Sequence, residues 1–518
     1  MCPWTPISFA KPGWAIRMSM KTQPIASALA IVLCYAGILK AEDHPADAGV
    51  PDAGIPDPES DGNRGNDGEP EETSVNQDSS ENENISTDNT EGSPLSDTGL
   101  DEGWGEGGGW GEEEGADENR VSVHGSYENQ FNGMWLRRAG GQERVVLYDS
   151  NRLRIDVDAN LGNGIEIRSN GVVQVFVGET EVGLLDLIPP ATFDALLALD
   201  PRWSMVTNET YHFENEYYLD NAYIKIPIAK MLLTVGKQPL EQGAAYAWNP
   251  TDVFTRKDMF DPTYEKPGIV AARLVVPFGD TASIDLIGVP DGNFENWTGG
   301  GRASLRLGPI SFSAVSYLTT VTQTDLEGSL DQMITAAMKN SDVEKAIKRS
   351  ETRRILVGGD IVADIEGVRL WTEGAYNFID DEAGAPANWW ELCAGLEYYF
   401  PFETHLMAEY FHYGRGPKPE GGIYSFNDWN RLLAAELKML GQDFLFESID
   451  HPVSDFWTVG LSSFQGISEG SFVLIADVRW EFVEDAELWL MVSANIGEQS
   501  DFLSSTRGQG WLRLKAYF

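Results

Sequence analysis

From Val121 to the end of the chain, apolar and polar residues alternate with a period of two, the spacing of strands with one apolar and one polar face. Leu153, Ile155, Val157 and Ala159 alternate with Arg152, Arg154, Asp156 and Asp158. After Gly162-Asn163-Gly164, Ile165 and Ile167 alternate with Glu166 and Arg168, so the Gly-Asn-Gly turn predicts a hairpin. The same pattern sets Ile355, Val357, Ile361 and Ala363 against Arg354, Asp360 and Asp364, and Leu370, Tyr376 and Phe378 against Arg369, Glu373 and Asn377. Near the carboxyl end, Phe472, Leu474, Ala476 and Val478 oppose Asp477, Arg479 and Glu481. In the last run Leu512, Leu514, Ala516 and Phe518 oppose Trp511, Arg513, Lys515 and Tyr517.

Length and charge placement narrow the fold. The runs extend for about ten residues, enough to cross an apolar band when tilted, whereas ordinary strands average about five or six. Their polar faces carry both charge signs at mid-strand, which suits a wet interior and is costly in a dry core. After Val121 no stretch is long and apolar enough for a spanning helix, so a membrane crossing requires a closed barrel. The pattern predicts an all-β fold, an antiparallel transmembrane β-barrel of roughly 16 to 18 strands, wide enough for an aqueous channel unless something fills it. A soluble periplasmic sheet protein is the competing fold. The expected lumen-facing set is Arg152, Arg154, Asp156, Asp158, Arg273, Arg302, Arg306, Arg354, Asp360, Asp364, Arg369, Glu373, Asp477, Arg479, Glu481, Arg513 and Lys515. The many aromatic residues (16 Trp, 17 Tyr, 23 Phe) suit girdles at two membrane interfaces, and a soluble core as well.

Three segments break the alternation. Ala191 to Leu199, after Pro189-Pro190, predicts a short helix, and Ser329 to Glu351 predicts two, from capping-box spacing of Ser329 with Gln332 and Ser341 with Glu344. Gly299-Gly300-Gly301 reads as a turn. The third break follows Gln238: a long irregular stretch dense in Trp, Tyr, Phe and Pro runs to Gly268, before the strand Ile269 to Phe278. A loop longer than about fifteen residues without structure of its own is usually functional or disordered, and this composition argues against disorder. It is expected to fold into or over the barrel mouth, placing Lys237, Asp252, Arg256, Lys257 and Asp258 near a constriction. A packed loop bracing the rim is the alternative, since Asn249-Pro250-Thr251-Asp252 is also good turn chemistry.

The amino-terminal part differs in kind. Lys21, an apolar run of about fifteen residues from Ile25 to Leu39, and Ala41 before an acidic start predict a secretory signal peptide over residues 1–41, with an over-extended start before Met18 or Met20. Residues 42–118 are acidic throughout, with Arg64 the one basic residue, and poor in the residues a core requires, predicting disorder. They read as a solvated periplasmic spacer, with divalent cations as weak partners. Residues 119–518 form the barrel. The net charge of -44 argues against a nucleic-acid binder.

Candidate chemistry is sparse. Cys2 and Cys34 fall in the leader, which leaves Cys393 with no disulfide partner, and it reads as packing. His405 and Glu409 share a strand face while His412 has the opposite parity, so no metal set forms along that strand. No nucleophile elbow or metalloprotease motif is present. The chain is accordingly expected to be no enzyme and to need no cofactor.

The final strand, Gly510 to Phe518, is similar to the closing strand of bacterial outer-membrane β-barrels, which commonly end in Phe behind alternating apolar residues; Ala516 stands where a second aromatic is frequent. That resemblance implies the outer membrane of a Gram-negative-type bacterium, contact with the barrel-assembly machinery through this strand, and closure with Leu512, Leu514, Ala516 and Phe518 toward lipid. Gly236-Lys237-Gln238, Asn249-Pro250-Thr251-Asp252 and Glu265-Lys266-Pro267-Gly268 resemble motifs of porin-like barrels in the style of the alginate-export family, with Gly243-Ala244 where a Trp-Gly pair is expected. The expected function is passive diffusion or export of small solutes with weak charge selectivity. The alternative is a non-conducting barrel acting as surface scaffold, adhesion or assembly protein.

Overall fold

The computed structural model describes residues 120–137, 143–183, 186, 188–206, 210–255, 267–290, 297–339, 341, 343–380, 386–419, 422–468, 470–496 and 506–518. The expected signal peptide and acidic segment lie outside the described residues. In chain order the strands are β1 (Arg120–Arg137), β2 (Glu143–Asn160), β3 (Glu166–Gly178), β4 (Glu181–Gly183), β5 (Thr210–His212), β6 (Glu216–Ile228), β7 (Met231–Gln238), β8 (Ile269–Phe278), β9 (Ala282–Pro290) and β10 (Trp297–Leu307). They continue as β11 (Ile310–Asp325), β12 (Lys348–Ile365), β13 (Val368–Ile379), β14 (Trp389–Tyr399), β15 (His405–Tyr413), β16 (Asp443–Ser454), β17 (Trp457–Gly466), β18 (Ser471–Val483), β19 (Ala486–Ile496) and β20 (Thr506–Tyr517).

Apart from the small ribbon β4–β5, all pair antiparallel with their neighbours in one 18-stranded sheet, which β1 closes by pairing with β20. The seam includes the terminal residue: Gly125 N–H donates to the Phe518 carbonyl at 2.8 Å, and Phe518 N–H donates to the Gly125 carbonyl at 3.0 Å. A Cβ on Gly125 would sit 2.9 Å from the Phe518 ring, so the glycine makes room for that aromatic. Closure removes the unpaired edges that an open sheet would expose.

Alternation holds around the wall. Leu512 and Leu514 are 41% and 38% exposed, whereas Arg513 and Lys515 between and beside them are 3% and 7% exposed. Leu153, Ile155, Ile355, Val357 and Leu461 are exposed on the same outer face. The two-residue turns, such as 229–230, 308–309 and 366–367, lie at one end together with both ends of the described wall, and the long connections lie at the other. At Gly162-Asn163-Gly164 all three residues have positive φ, as the tight turn requires.

Three long connections carry helices: α1 (Pro190–Leu199), α2 (Leu330–Met338) and α3 (Phe426–Leu433). They pack on one another: Thr192 Oγ1 donates to the Tyr424 carbonyl at 3.0 Å, the Trp203 and Phe426 rings are 5.5 Å apart, and Arg202 Nη1 donates to Asp331 at 2.8 Å. With buried Trp429, Leu432, Leu433, Met333 and Met134 they build an apolar roof at the long-loop end.

Several expectations require correction. The second helix predicted before Glu351 is a single 3-10 turn, Glu344–Ala346, because β12 already begins at Lys348 and claims those residues. Ser329 does not cap α2; its hydroxyl bonds the Asp325 carbonyl instead. The capping box belongs to the unpredicted α3, where Ser425 and Asp428 bond reciprocally. Gly299-Gly300-Gly301 lies inside β10, paired on both sides, so ladder hydrogen bonds override the local turn preference.

Candidate functional site

The loop after β7 leaves the wall at Pro239 and crosses the lumen to β13–β17. Two carboxylates hold it there. Glu373 on β13 and Glu409 on β15 are both fully buried. Glu373 Oε2 accepts from Ala244 N–H at 2.7 Å and Ala245 N–H at 3.2 Å, and its Oε1 accepts from Thr251 N–H at 2.7 Å and Thr251 Oγ1 at 2.8 Å. Glu409 Oε2 accepts from Tyr246 N–H at 2.6 Å and from the Trp371 indole at 2.7 Å, while Oε1 accepts from Ala247 and Trp248 N–H, each at 2.9 Å. A loop in a lumen has no ladder to satisfy its amides, and these two side chains supply the acceptors.

Packing follows the same direction. Trp248 lies over Phe411 at 5.1 Å and Phe464 at 5.3 Å, and Tyr246 stacks on Phe446 at 5.8 Å. Burial, reinforced by the carboxylates of Asp450 and Glu409, pushes the Tyr246 phenol well above its ordinary range and keeps it neutral. Gly243, with φ of 99°, faces Glu373 so closely that a Cβ would sit 2.7 Å from its Oε2. On the near side the Phe254 and Tyr317 rings meet edge-on at 5.1 Å. Lys438, from the roof, donates to Glu391 on β14 at 2.6 Å and to the Asn249 carbonyl at 3.3 Å, tying roof, wall and loop together.

The remaining inward wall is charged. On β2 and β3, Arg154 donates to Asp156 at 2.8 Å, Asn170 donates to Asp156 at 2.6 Å, and Arg168 lies 3.6 Å from Asp158. The Arg168 and Asp158 side chains, at the tight-turn mouth, are 50% and 35% exposed, while those of Arg154 and Asp156 further in are 17% and 14% exposed. On the loop's own side the pairs are dry: Arg302 bonds Asp360 at 2.7 Å with side chains 9% and 1% exposed, and Ser313 also bonds Asp360.

Of the residues expected at the constriction, Lys237 is a correction. It pairs with Ala222 and Val270 on the outer face, and its ammonium donates to the Leu219 carbonyl at 2.7 Å beside the bulge in β6, because strand parity places it opposite to inward Gln238. Asp252 lies in the inward loop but spends its carboxylate on the loop itself, accepting from Phe254 N–H at 2.8 Å and Thr255 Oγ1 at 2.8 Å. Arg256, Lys257 and Asp258 lie outside the described residues. Among the residues expected to face the lumen, Arg152 is half-buried on the Arg154 face, Arg273 bonds Asp285 at 3.0 Å, Arg354 lies 5.9 Å from the Trp389 ring, and Arg369 lies 3.8 Å from Glu397. Arg479 sits 4.3 Å over Trp489, which also donates to Asp477 at 3.2 Å; Arg513 sits 4.3 Å over Trp511, and Lys515 4.9 Å from Tyr517. Arg306, Asp364 and Glu481 are exposed toward the tight-turn end. At the seam, Leu512, Leu514 and Phe518 are exposed on the outer face and Ala516 is half-buried there.

Sequence reasoning did not single out the anchor Glu409, whose available signal was a lone carboxylate between the inward apolar positions Met407 and Phe411. Glu373 was expected to line the lumen, but nothing local marks it as a loop anchor. Among the described residues no group of three or more His, Cys, Asp or Glu is arranged to hold a metal ion.

No protein-family model matches the chain, and neither does any curated protein sequence. Among solved structures, the chain is similar to OccK11 (OpdR) of Pseudomonas aeruginosa, at 10% identity and a TM-score of 0.43 over 77% of this chain and 96% of that one. It is also similar to OccAB1 of Acinetobacter baumannii, at 9% identity and 0.43 over 76% and 96%. A loop L8 deletion mutant of OmpT, an outer membrane protein of Vibrio cholerae, matches at 9% identity and 0.37 over 78% and 100%. The barrel itself is defined by the chain's own strand pairing, closed from β20 to β1.

Proposed function

We propose that the protein is an outer-membrane channel for passive diffusion or export of small solutes, with the loop 239–255 as its constriction. The observation that carries this reading is the division of the lumen: a loop pinned to β13–β17 by Glu373 and Glu409, and a wall on β2 and β3 that carries charged side chains of both signs. The outward face of alternating Leu, Ile, Val and aromatic residues supports placement in lipid. Passive transport requires no catalytic group: pore width and the charges at the constriction select the solute. Arg154 with Asp156 and Arg168 with Asp158 interleave both signs, which favours weak selectivity between cations and anions.

Planar-bilayer recording of purified protein tests the channel. Discrete conductance steps are expected, and a silent bilayer with folded, heat-modifiable protein would reject it. Sedimentation with carbonate-washed outer membranes tests the location separately. A non-conducting scaffold is the second reading, favoured by the apolar roof of α1, α2 and α3, and it requires that silence.

A further inference from the structure

Two carboxylate-centred clusters interrupt the outward apolar face at mid-strand. On β1 and β2, Asn129 pairs with Asn151 and Phe131 with Asp149, in the outward parity of Leu147 and Leu153. Asn129 Nδ2 donates to Asp149 Oδ1 at 2.9 Å and to Asn151 Oδ1 at 3.0 Å, Asn151 Nδ2 donates to Asp149 Oδ2 at 2.8 Å, and the Tyr127 hydroxyl donates to Asn151 Oδ1 at 2.7 Å. Gly125, four positions before Asn129, bonds the terminal Phe518. Asn129 therefore stands about 10 Å up an apolar band about 25 Å tall. On β16 and β17, Glu447 occupies the outward parity of Ile449 and accepts from Ser463 Oγ at 3.1 Å and Gln465 Nε2 at 2.9 Å.

Acyl chains offer no hydrogen-bond partner, so an ionisable group at this depth is expensive toward lipid and marks a protein contact. The clusters offer one matched donor and acceptor. Asn151 has a second amide hydrogen beyond the one given to Asp149, and Glu447 has Oε1, which neither Ser463 nor Gln465 uses. Both halves are on one chain, separated in the wall by β18, β19 and β20.

We propose that β1–β2 of one copy packs against β16–β17 of a second copy of this chain, burying Asp149 and Glu447 in a lateral, head-to-tail contact. Because each copy presents both faces, the contact repeats and closes into a ring when the rotation allows. The proposal rests on the membrane reading, whose failure would show separately as a protein that does not sediment with outer membranes.

The test is oxidative crosslinking in intact membranes with N151C and S463C. The double variant should give a ladder of linked copies and neither single variant any. A double variant that folds but gives no ladder, or singles that crosslink equally well, would overturn the contact. Independently, the triple variant N129L, D149L, N151L makes the face apolar without threatening the barrel. Its detergent complex should fall to the mass of one copy while heat-modifiable mobility persists. An unchanged mass, or a wild type already of single-copy mass after mild extraction, would also overturn it.

Discussion

A carboxylate that accepts three backbone amides and an indole N–H fixes a loop through the donors it satisfies, because each would otherwise be buried without a partner. Glu409→Leu is expected to leave the N–H groups of Tyr246, Ala247 and Trp248 and the Trp371 indole unpaired. Each such group costs about 1–3 kcal/mol, far more than this loop can absorb in place. The expected outcome is a barrel of normal heat-modifiable mobility whose 239–255 loop is open to protease, with larger and noisier conductance; unchanged protection would show that Glu373 and the packing of Trp248 hold the loop without Glu409. Arg302 and Asp360 make a second residue-scale case, since both are desolvated. Arg302→Met should destabilise the barrel by about 3–5 kcal/mol by stranding Asp360, while R302M with D360L should recover most of that loss. Denaturant unfolding in detergent measures both, and a single variant as benign as the double would mean that the pair is solvated.

At the scale of elements, the seam and the inward loop have separable roles. The Phe518 residue contributes two backbone hydrogen bonds to β1, and its ring fills the space over Gly125. Deleting Phe518 should lower the folded fraction in membranes without altering the conductance of the barrels that do form. Replacing residues 241–252 by a short flexible link should do the reverse, leaving closure intact and raising single-channel conductance. Equal conductance after that replacement would place the narrowest point in the roof. The roof itself depends on α3, whose reciprocal Ser425–Asp428 cap fixes where the helix starts and so where Trp429 and Phe426 enter the cluster.

For the whole molecule, the lumen is asymmetric. One side is an aromatic and aliphatic surface covered by the loop, and the other is a wall carrying both charge signs. Reversal potentials in a salt gradient are expected to stay close to zero, as interleaved charges favour neither ion; strong selectivity would mean that one sign controls the narrowest ring. The net charge of -44 bears little on this, because the acidic run of residues 42–118 is separate in sequence from the strands.

Period-two alternation determined most of the architecture. It sorted inward from outward in β2, β12, β13, β18 and β20, since a pleated strand sends successive side chains to opposite faces whatever its neighbours are. Turn chemistry did the same for Gly162-Asn163-Gly164, and the break after Gln238 located the inward loop. The tertiary structure alone decided which residues hold that loop. Glu409 and Tyr246 are 163 positions apart and Glu373 and Ala244 are 129 apart, and no local pattern records a partner at that distance. It also decided the fate of Lys237: a place one residue before inward Gln238 was enough to turn it from the expected constriction to the outer face. Helix boundaries near Ser341 and the glycine run in β10 were settled by ladder pairing, which outweighs local propensity wherever a neighbouring strand offers it the hydrogen bonds.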